Sequence, residues 1–299
     1  MPDSGRTEVL AKIGYVFLPW LFRRLPIPGR YANIAGIVLQ RHFASPTGPL
    51  VVWDRNRKFR VEIQDLNDFI QRSIFFAGYI EYRETRFVQR ALRAGDCFVD
   101  VGANIGWFTL LAASLVGPTG RVVSFEPASV IREQLAKNVS LNSLPQVTIE
   151  PFGLSDVNGF AELVAGPPGN RGHTSFLPDH DALGRDRETV PIIRFNEYCK
   201  DHALDHVRLM KVDVEGYEQL VLRGMGDMLR PELVESLLIE IDDQRLRRLG
   251  SSSFDVLSYI ASRGYELCHP TVSGLRPIPT RSATDCINVV ARARVKSGG

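Results

Sequence analysis

The sequence predicts an α/β protein: a doubly wound, mostly parallel sheet of seven strands whose last strand runs antiparallel, preceded by an N-terminal helical and hairpin extension. Three observations predict it. From residue 95 onward, short apolar runs alternate with stretches of helical periodicity, the pattern of parallel strands covered on both faces. The last two runs, Tyr265–Cys268 and Cys286–Val290, are joined by a loop without helical pattern, which suits an antiparallel final strand. A turn from Gly102 to Gly106 closes the first of these strands and opens a helix at once, as at the ligand-binding edge of an open parallel sheet.

The elements follow in order. Residues 1–49 read as an extension broken by Pro26, Pro28 and Pro46. Inside it, Val9 to Phe22 is apolar but interrupted by Lys12 and Pro19, and is shorter than the roughly 20 residues a span needs. Asp3 and Glu8 precede it and no small-residue cleavage site follows, unlike a secretory leader. Tyr15, Phe17, Trp20 and Phe22, flanked by Arg23 and Arg24, fit a helix packed on the domain or a partner in preference to one lying on a membrane surface over residues 9–24.

Residues 50–94 lead into the core. Leu50–Trp53 and Lys58–Ile63 alternate like two strands around the polar turn Asp54–Arg57, and Glu84 to Arg93 places Phe87, Val88, Ala91 and Leu92 on one helical face. The core spans 95–291: strands at Cys97–Val101, Arg121–Phe125, Val147–Phe152, Val207–Val212 and Ser236–Ile241, then the two closing runs. Helices are expected over Trp107–Val116, Val130–Leu141, Glu218–Leu229 and Phe254–Ser262. Residues 157–195, rich in Gly, Pro and polar residues, read as an insertion with a hairpin and a substrate loop, and 292–299 as a frayed tail.

Composition narrows the function classes. The 299 residues are 44% hydrophobic and 23% charged, the range of an ordinary globular protein. Lys+Arg 36 against Asp+Glu 34 leaves a net charge of +2, with no excess of basic residues to attract nucleic acid. Cys97, Cys199, Cys268 and Cys286 form no C-x-x-C pair, so a zinc ribbon and a disulfide scaffold are both unsupported. Reduced thiols in a cytoplasmic protein are the expectation.

The stretch Phe98 to Gly106 is the most informative. Gly102 permits a sharp turn and a ligand's close approach to bare backbone, Gly106 permits close helix–strand packing, and the opening helix offers unpaired N–H groups. The Gly102, Asn104, Gly106 spacing breaks the G-x-G-x-x-G dinucleotide fingerprint, and Asp100 at the strand end repels a pyrophosphate while attracting an ammonium group. A cofactor with an amino-acid end, an adenosine and no phosphate fits: S-adenosylmethionine. Glu126, 20 residues after Gly106 at the end of the next strand, stands where a carboxylate accepts from ribose hydroxyls. Asp156, after the third strand, is a candidate partner for the adenine amino group.

Three motifs, DVGANIG at 100–106, FEP at 125–127 and KVDVEGYE at 211–218, together resemble the FkbM-type methyltransferases, S-adenosylmethionine-dependent enzymes of class I. The resemblance covers about residues 75–291. It implies a Rossmann-like seven-stranded sheet with the last strand antiparallel, and methyl transfer mostly onto hydroxyls of sugars, lipids or secondary metabolites. Asp100, Gly102, Gly106 and Glu126 match its cofactor positions, and Asn104 replaces the second glycine of many class I enzymes in a form usual for this family.

Transfer to a hydroxyl requires the acceptor oxygen near the methyl group and a base for its proton. Asp213 ends the fourth strand, and Glu215 follows on the same side if the chain stays extended. Two close carboxylates repel, so one is expected to hold its proton more tightly, as suits a base; they could equally offer oxygen ligands to a divalent metal, but no histidine adjoins them in sequence and no metal is expected. Glu218 reads as a helix N-terminal residue. His173 in the insertion is a further candidate base, and Glu240, charged within an apolar strand, a candidate acceptor-binding residue. The acceptor expected is a small molecule or glycan. The rival readings are a nucleotide-dependent oxidoreductase on the same sheet and a module that binds cofactor without turning it over.

Overall fold

A computed structural model describes residues 15–24, 29–42, 48–167, 169–170, 174–176, 184–279 and 286–294. The N-terminal part comprises helices α1 (15–24) and α2 (Gly29–His42), the hairpin β1 (Leu50–Trp53) and β2 (Arg60–Ile63), and helices α3 (Phe69–Ala77) and α4 (Tyr82–Ala91). Next come β3 (Cys97–Val101), α5 (Trp107–Val116), β4 (Arg121–Phe125), α6 (Ser129–Leu141), β5 (Val147–Glu150), β6 (Gly153–Leu154), β7 (Gly159–Val164) and β8 (Arg187–Ile193). The chain continues through α7 (Phe195–Asp201), β9 (Leu209–Val212), α8 (Glu218–Gly224), β10 (Ser236–Ile241), α9 (Asp243–Arg248), α10 (Ser253–Ser262), β11 (Tyr265–Pro270), β12 (Leu275–Pro277) and β13 (Ile287–Ala293).

The central sheet has the order β12-β11-β13-β10-β9-β3-β4-β5. Strands β5, β4, β3, β9 and β10 are parallel neighbours, and β13 runs antiparallel to both β10 and β11, as the loop between the two closing runs predicts. The sheet therefore holds eight strands, not seven: β12 pairs with the outer edge of β11, Cys268 opposite Pro277. Its three residues Leu-Arg-Pro are too short to show alternation.

Successive residues of each strand feed opposite layers, as the pleat requires. Phe98, Val122 and Leu209 join the core that packs α3, α4 and α5, whereas Val99, Val123 and Met210 join the one that packs α7, α8 and α10. The strand order reverses between β3 and β9, so the tips of β3, β4, β9 and β10 surround one crevice.

Residues 157–195 do contain a hairpin, β7 against β8, but β6 pairs with β8 as well, giving a separate three-stranded sheet. Helix α3 is absent from the expectations although its ends are marked: Asp68 accepts from the Gln71 N–H at 3.0 Å, and Gly78 stops the helix at φ +72°. Where α8 meets the turn after β6, backbone touches backbone. A Cβ on Gly224 would lie 1.9 Å from the Ser155 carbonyl oxygen. Gly224→Ala is expected to cost about 2 kcal/mol and to lower the unfolding temperature by about 5 °C in differential scanning calorimetry.

Candidate functional site

The turn after β3 is built from positive-φ residues. Gly102 sits at φ +79°, with its N–H and that of Ala103 donating to the Phe125 carbonyl at 3.0 and 3.1 Å. What fills the space of its missing side chain is protein: a Cβ would lie 2.0 Å from the Asp213 carbonyl oxygen. Gly106 makes room for α6, where Leu135 Cδ1 would stand 2.4 Å from a Cβ, so the close packing it permits is helix on helix, not helix on strand. Asn104 adopts φ +53°, a conformation asparagine tolerates, and accepts from the Ile105 N–H at 2.7 Å. Behind the turn, Asn138 donates to the Ile105 carbonyl and accepts from Glu62 N–H, tying the β1–β2 hairpin to the loop.

The strand tips supply the charges. Asp100 is buried, and its Oδ2 accepts from the Thr109 hydroxyl at 2.7 Å; burial raises its pKa, against the pull of Lys211. Glu126 is also buried, accepting from the Asn104 and Ala128 N–H groups at 2.8 and 3.0 Å; burial outweighs these bonds and raises it to about 7. Lys211 lies among the acids, its Nζ 2.6 Å from Asp213 Oδ2 and 4.7 Å from the centre of the Phe108 ring. Burial opposes the charge on Lys211, yet Asp213, Glu81 and Asp100 together hold it above the usual lysine range. For Asp213 burial pulls upward, but the lysine prevails and its pKa is lowered.

Glu240 responds the other way. The charge on Asp213, then burial, raises it to about 8, and its carboxyl hydrogen-bonds Asp213. Glu81, at φ +41° before α4, is an exposed residue of the cleft lining. Glu215, at φ +56°, is ion-paired with Arg245, which also reaches Asp242 at 3.3 Å. Glu218 fastens the turn from inside, accepting from the Gly216 and Val214 N–H groups at 3.0 and 3.3 Å, in keeping with its reading as a helix N-terminal residue.

Asp100, Gly102, Asn104, Glu126, Asp213, Glu215 and Glu240 thus line one cleft, with Gly106 supporting it from behind. Carboxylate oxygens of Asp213, Glu215 and Glu240 lie within 4.8 Å of one another. The same-side expectation for Asp213 and Glu215 is therefore met in space, but through a left-handed turn rather than an extended strand. Of this trio the carboxyl that holds its proton is Glu240, because Lys211 and Arg245 neutralise the other two. The trio could hold a metal ion, although those two cations already balance part of its charge. Asp156 is not among the lining residues. The chain leaves the central sheet at β6, and the turn after it packs on Gly224 of α8, carrying Asp156 away. His173 lies outside the described residues; Asn170 and Thr174 beside it line the cleft.

Sequence reasoning misses Lys211, Glu81 and Arg245. Lys211 is recoverable, since it stands two residues before Asp213 on a strand and so shares its face. Glu81 and Arg245 carry no local signal; a left-handed residue and the α9 helix bring them in.

Six acidic side chains line the cleft among the described residues; with Asp213 paired to Lys211, Glu215 to Arg245 and Glu240 protonated, Asp100, Glu126 and Glu81 face a ligand, which suits a positively charged one without phosphate. An open parallel sheet with an antiparallel strand inserted near one edge, and such a site at its switch point, has the architecture of a class I methyltransferase. A family described as the methyltransferase FkbM domain matches residues 100–267, more than half of the chain, and the chain belongs to that family.

Several named proteins are similar to it. Methyltransferase sdnD of Sordaria araneosa is 29% identical over 198 residues, 52% of this chain and 74% of that protein. The 31-O-demethyl-FK506 methyltransferase FkbM of Streptomyces tacrolimicus is 29% identical over 181 residues, covering 51% and 67%. The AMB antimetabolite synthetase AmbE of Pseudomonas aeruginosa is 29% identical over 180 residues, 49% of this chain but 8% of the synthetase. Among solved structures, methyltransferase FkbM of Methylobacillus flagellatus KT aligns at TM-score 0.41 with 17% identity, covering 74% of this chain and 52% of that one.

Proposed function

We propose that this methyltransferase takes its methyl group from S-adenosylmethionine and places it on a hydroxyl of a sugar, glycan, lipid or secondary metabolite. The observation that carries the reading is Glu240, a carboxyl poised near pH 8 within a cluster of acids at the end of a cleft suited to a cation. When bound, S-adenosylmethionine supplies an electrophilic methyl on a sulfonium. Asp100 and the Gly102–Gly106 turn would hold its amino-acid end, Glu126 its ribose, and the apolar walls at Phe125, Phe152 and Leu154 its base. Glu240 would accept the acceptor hydroxyl's proton. Asp213, kept ionised by Lys211, raises Glu240 into the useful range and offers a fixed negative charge beside the reacting centre. The name of the Streptomyces tacrolimicus relative, an O-demethyl substrate's methyltransferase, supports a hydroxyl acceptor. The acid-rich lining speaks against a pyrophosphate-bearing nucleotide, and so against an oxidoreductase.

The test is a panel of hydroxylated acceptors with isotopically labelled methyl donor, read by mass spectrometry, with calorimetric titration alongside. Tight NAD binding without S-adenosylmethionine binding overturns the reading. Donor binding without transfer to any hydroxyl, but with transfer to an amine, overturns its acceptor half.

Donor binding also carries a proton signature. Glu126 titrates near 7 in the free protein, and contact with the donor favours its ionised form. At pH 6.5 or so, binding is expected to release on the order of half a proton or more. Calorimetry in two buffers of different ionisation enthalpy measures it; identical heats in both would contradict direct contact between Glu126 and the donor.

A further inference from the structure

The N-terminal helices carry apolar side chains on both sides. Inward, Tyr15 of α1 meets the rings of Phe75 and Phe76 on α3, and α2 lies against Phe76 at Gly36. Arg23 donates to the carbonyls of Trp53 and Phe75, both at 2.8 Å, which seats α1 beside the end of β1. Outward, α1 exposes Phe17 and Trp20, and α2 exposes Tyr31, Ile34, Ile37 and Val38, a spacing that marks one helical stripe. Ile34 is 56% and Val38 49% exposed. Both helices pack on α3 and leave these side chains exposed.

The segment that carries these side chains is basic. Between Tyr15 and Arg60 the sequence holds seven arginines and one lysine against a single acid, Asp54, a net of +7 in a chain of net +2, which leaves −5 for the rest. Asp54 is buried and accepts from the Asn56 and Phe59 N–H groups inside the hairpin turn. Arg24 stacks 4.7 Å over Trp20, while Arg57 and Arg60 stand 5.6 Å from the Trp53 ring. Tryptophans paired with arginines around aliphatic side chains match the layered chemistry of a bilayer interface, apolar below and anionic above. A second copy would bring the same positive charge against it, and a nucleic acid would leave the aliphatic stripe in water.

We propose that the outward face of α1 and α2, with Trp53 at the end of β1, docks on an anionic lipid surface. Each arginine or lysine near such a surface contributes about fivefold to binding. The inference is independent of methyl transfer and of the acceptor.

The test sediments the full chain with vesicles of phosphatidylcholine alone and of phosphatidylcholine with about one-third phosphatidylglycerol. Binding is expected to the anionic vesicles, to weaken strongly with added salt, and to be marginal on neutral ones. Trp20→Ser with Ile34→Ser, and separately Arg24→Glu, should each weaken it on the order of tenfold with unchanged melting, while Val157→Ser, exposed elsewhere at 54%, leaves it unaltered. Vesicle binding that ignores lipid charge or these side chains overturns the proposal. So does an absence of binding, or self-association or RNA binding that the same substitutions abolish in its place.

Discussion

Glu240→Gln is expected to lower kcat by about 10²–10⁴, the usual contribution of a positioned general base, while donor affinity stays within a few-fold. The amide keeps the shape and hydrogen-bonding capacity of the side chain but cannot take a proton. In the parent protein kcat/KM should rise with pH along a limb near 8, because only ionised Glu240 accepts the hydroxyl proton. The largest cause of that position is the charge on Asp213. Asp213→Ala is therefore expected to move the limb toward the ordinary glutamate range as well as to reduce turnover. A limb that stays near 8 in Asp213→Ala would separate the two carboxylates, and full activity in Glu240→Gln would remove the base from this position.

The same groups fix how stability depends on pH. Glu240, Glu126 and Glu218 all have folded-state pKa values raised above the unfolded 4.5, so the folded chain binds more protons than the unfolded one between about 4.5 and 8. Their contribution is complete below that window and is lost as pH rises through 7 to 8. In urea, the ligand-free protein should unfold at a higher midpoint at pH 6 than at pH 8.

Gly102→Ala is the second large effect. Alanine at φ +79° is strained by itself, and here its methyl carbon would meet the Asp213 carbonyl oxygen at 2.0 Å. Relief requires the tips of β3 and β9 to separate. We expect a loss on the order of 3 kcal/mol of stability, together with donor affinity weakened at least tenfold. Gly95→Ala is the matched control, since Gly95 has φ +88° but no atom within 4 Å of where its methyl carbon would stand; only the conformational strain, about 1 kcal/mol, should remain. Equal losses at the two glycines would show that the carbonyl contact is unimportant.

Much of this fold is legible in the sequence because it is written in local pattern. The bounds of Leu50–Trp53, Trp107–Val116, Arg121–Phe125 and Ser236–Ile241 follow from hydrophobic runs ended by glycine, proline or charge. The short edge strand β12 and the two-residue β6 are not legible, since neither is long enough to show a period. The candidate site divides in the same way. Asp100, Glu126 and Asp213 are strand-end residues, and strand ends are readable. The protonation of the trio is not, because it depends on Lys211 and Arg245, whose positions over the acids are set by the sheet register and by α9. Gly102 stands out in the sequence for its freedom, but the reason for it, a carbonyl from a strand more than a hundred residues later, belongs to the tertiary structure alone.

The small sheet of β6, β7 and β8 satisfies its hydrogen bonds without any rung of the central one. The described residues Asn170, Thr174 and Phe176, which line the cleft, lie in the chain between its strands β7 and β8. Ser175 donates to the Glu215 carbonyl at 3.3 Å and Phe176 packs on the Tyr217 ring at 4.9 Å, so a redesign of that segment that keeps these two contacts keeps the turn after β9 supported. Grafting experiments aimed at new acceptors should begin there.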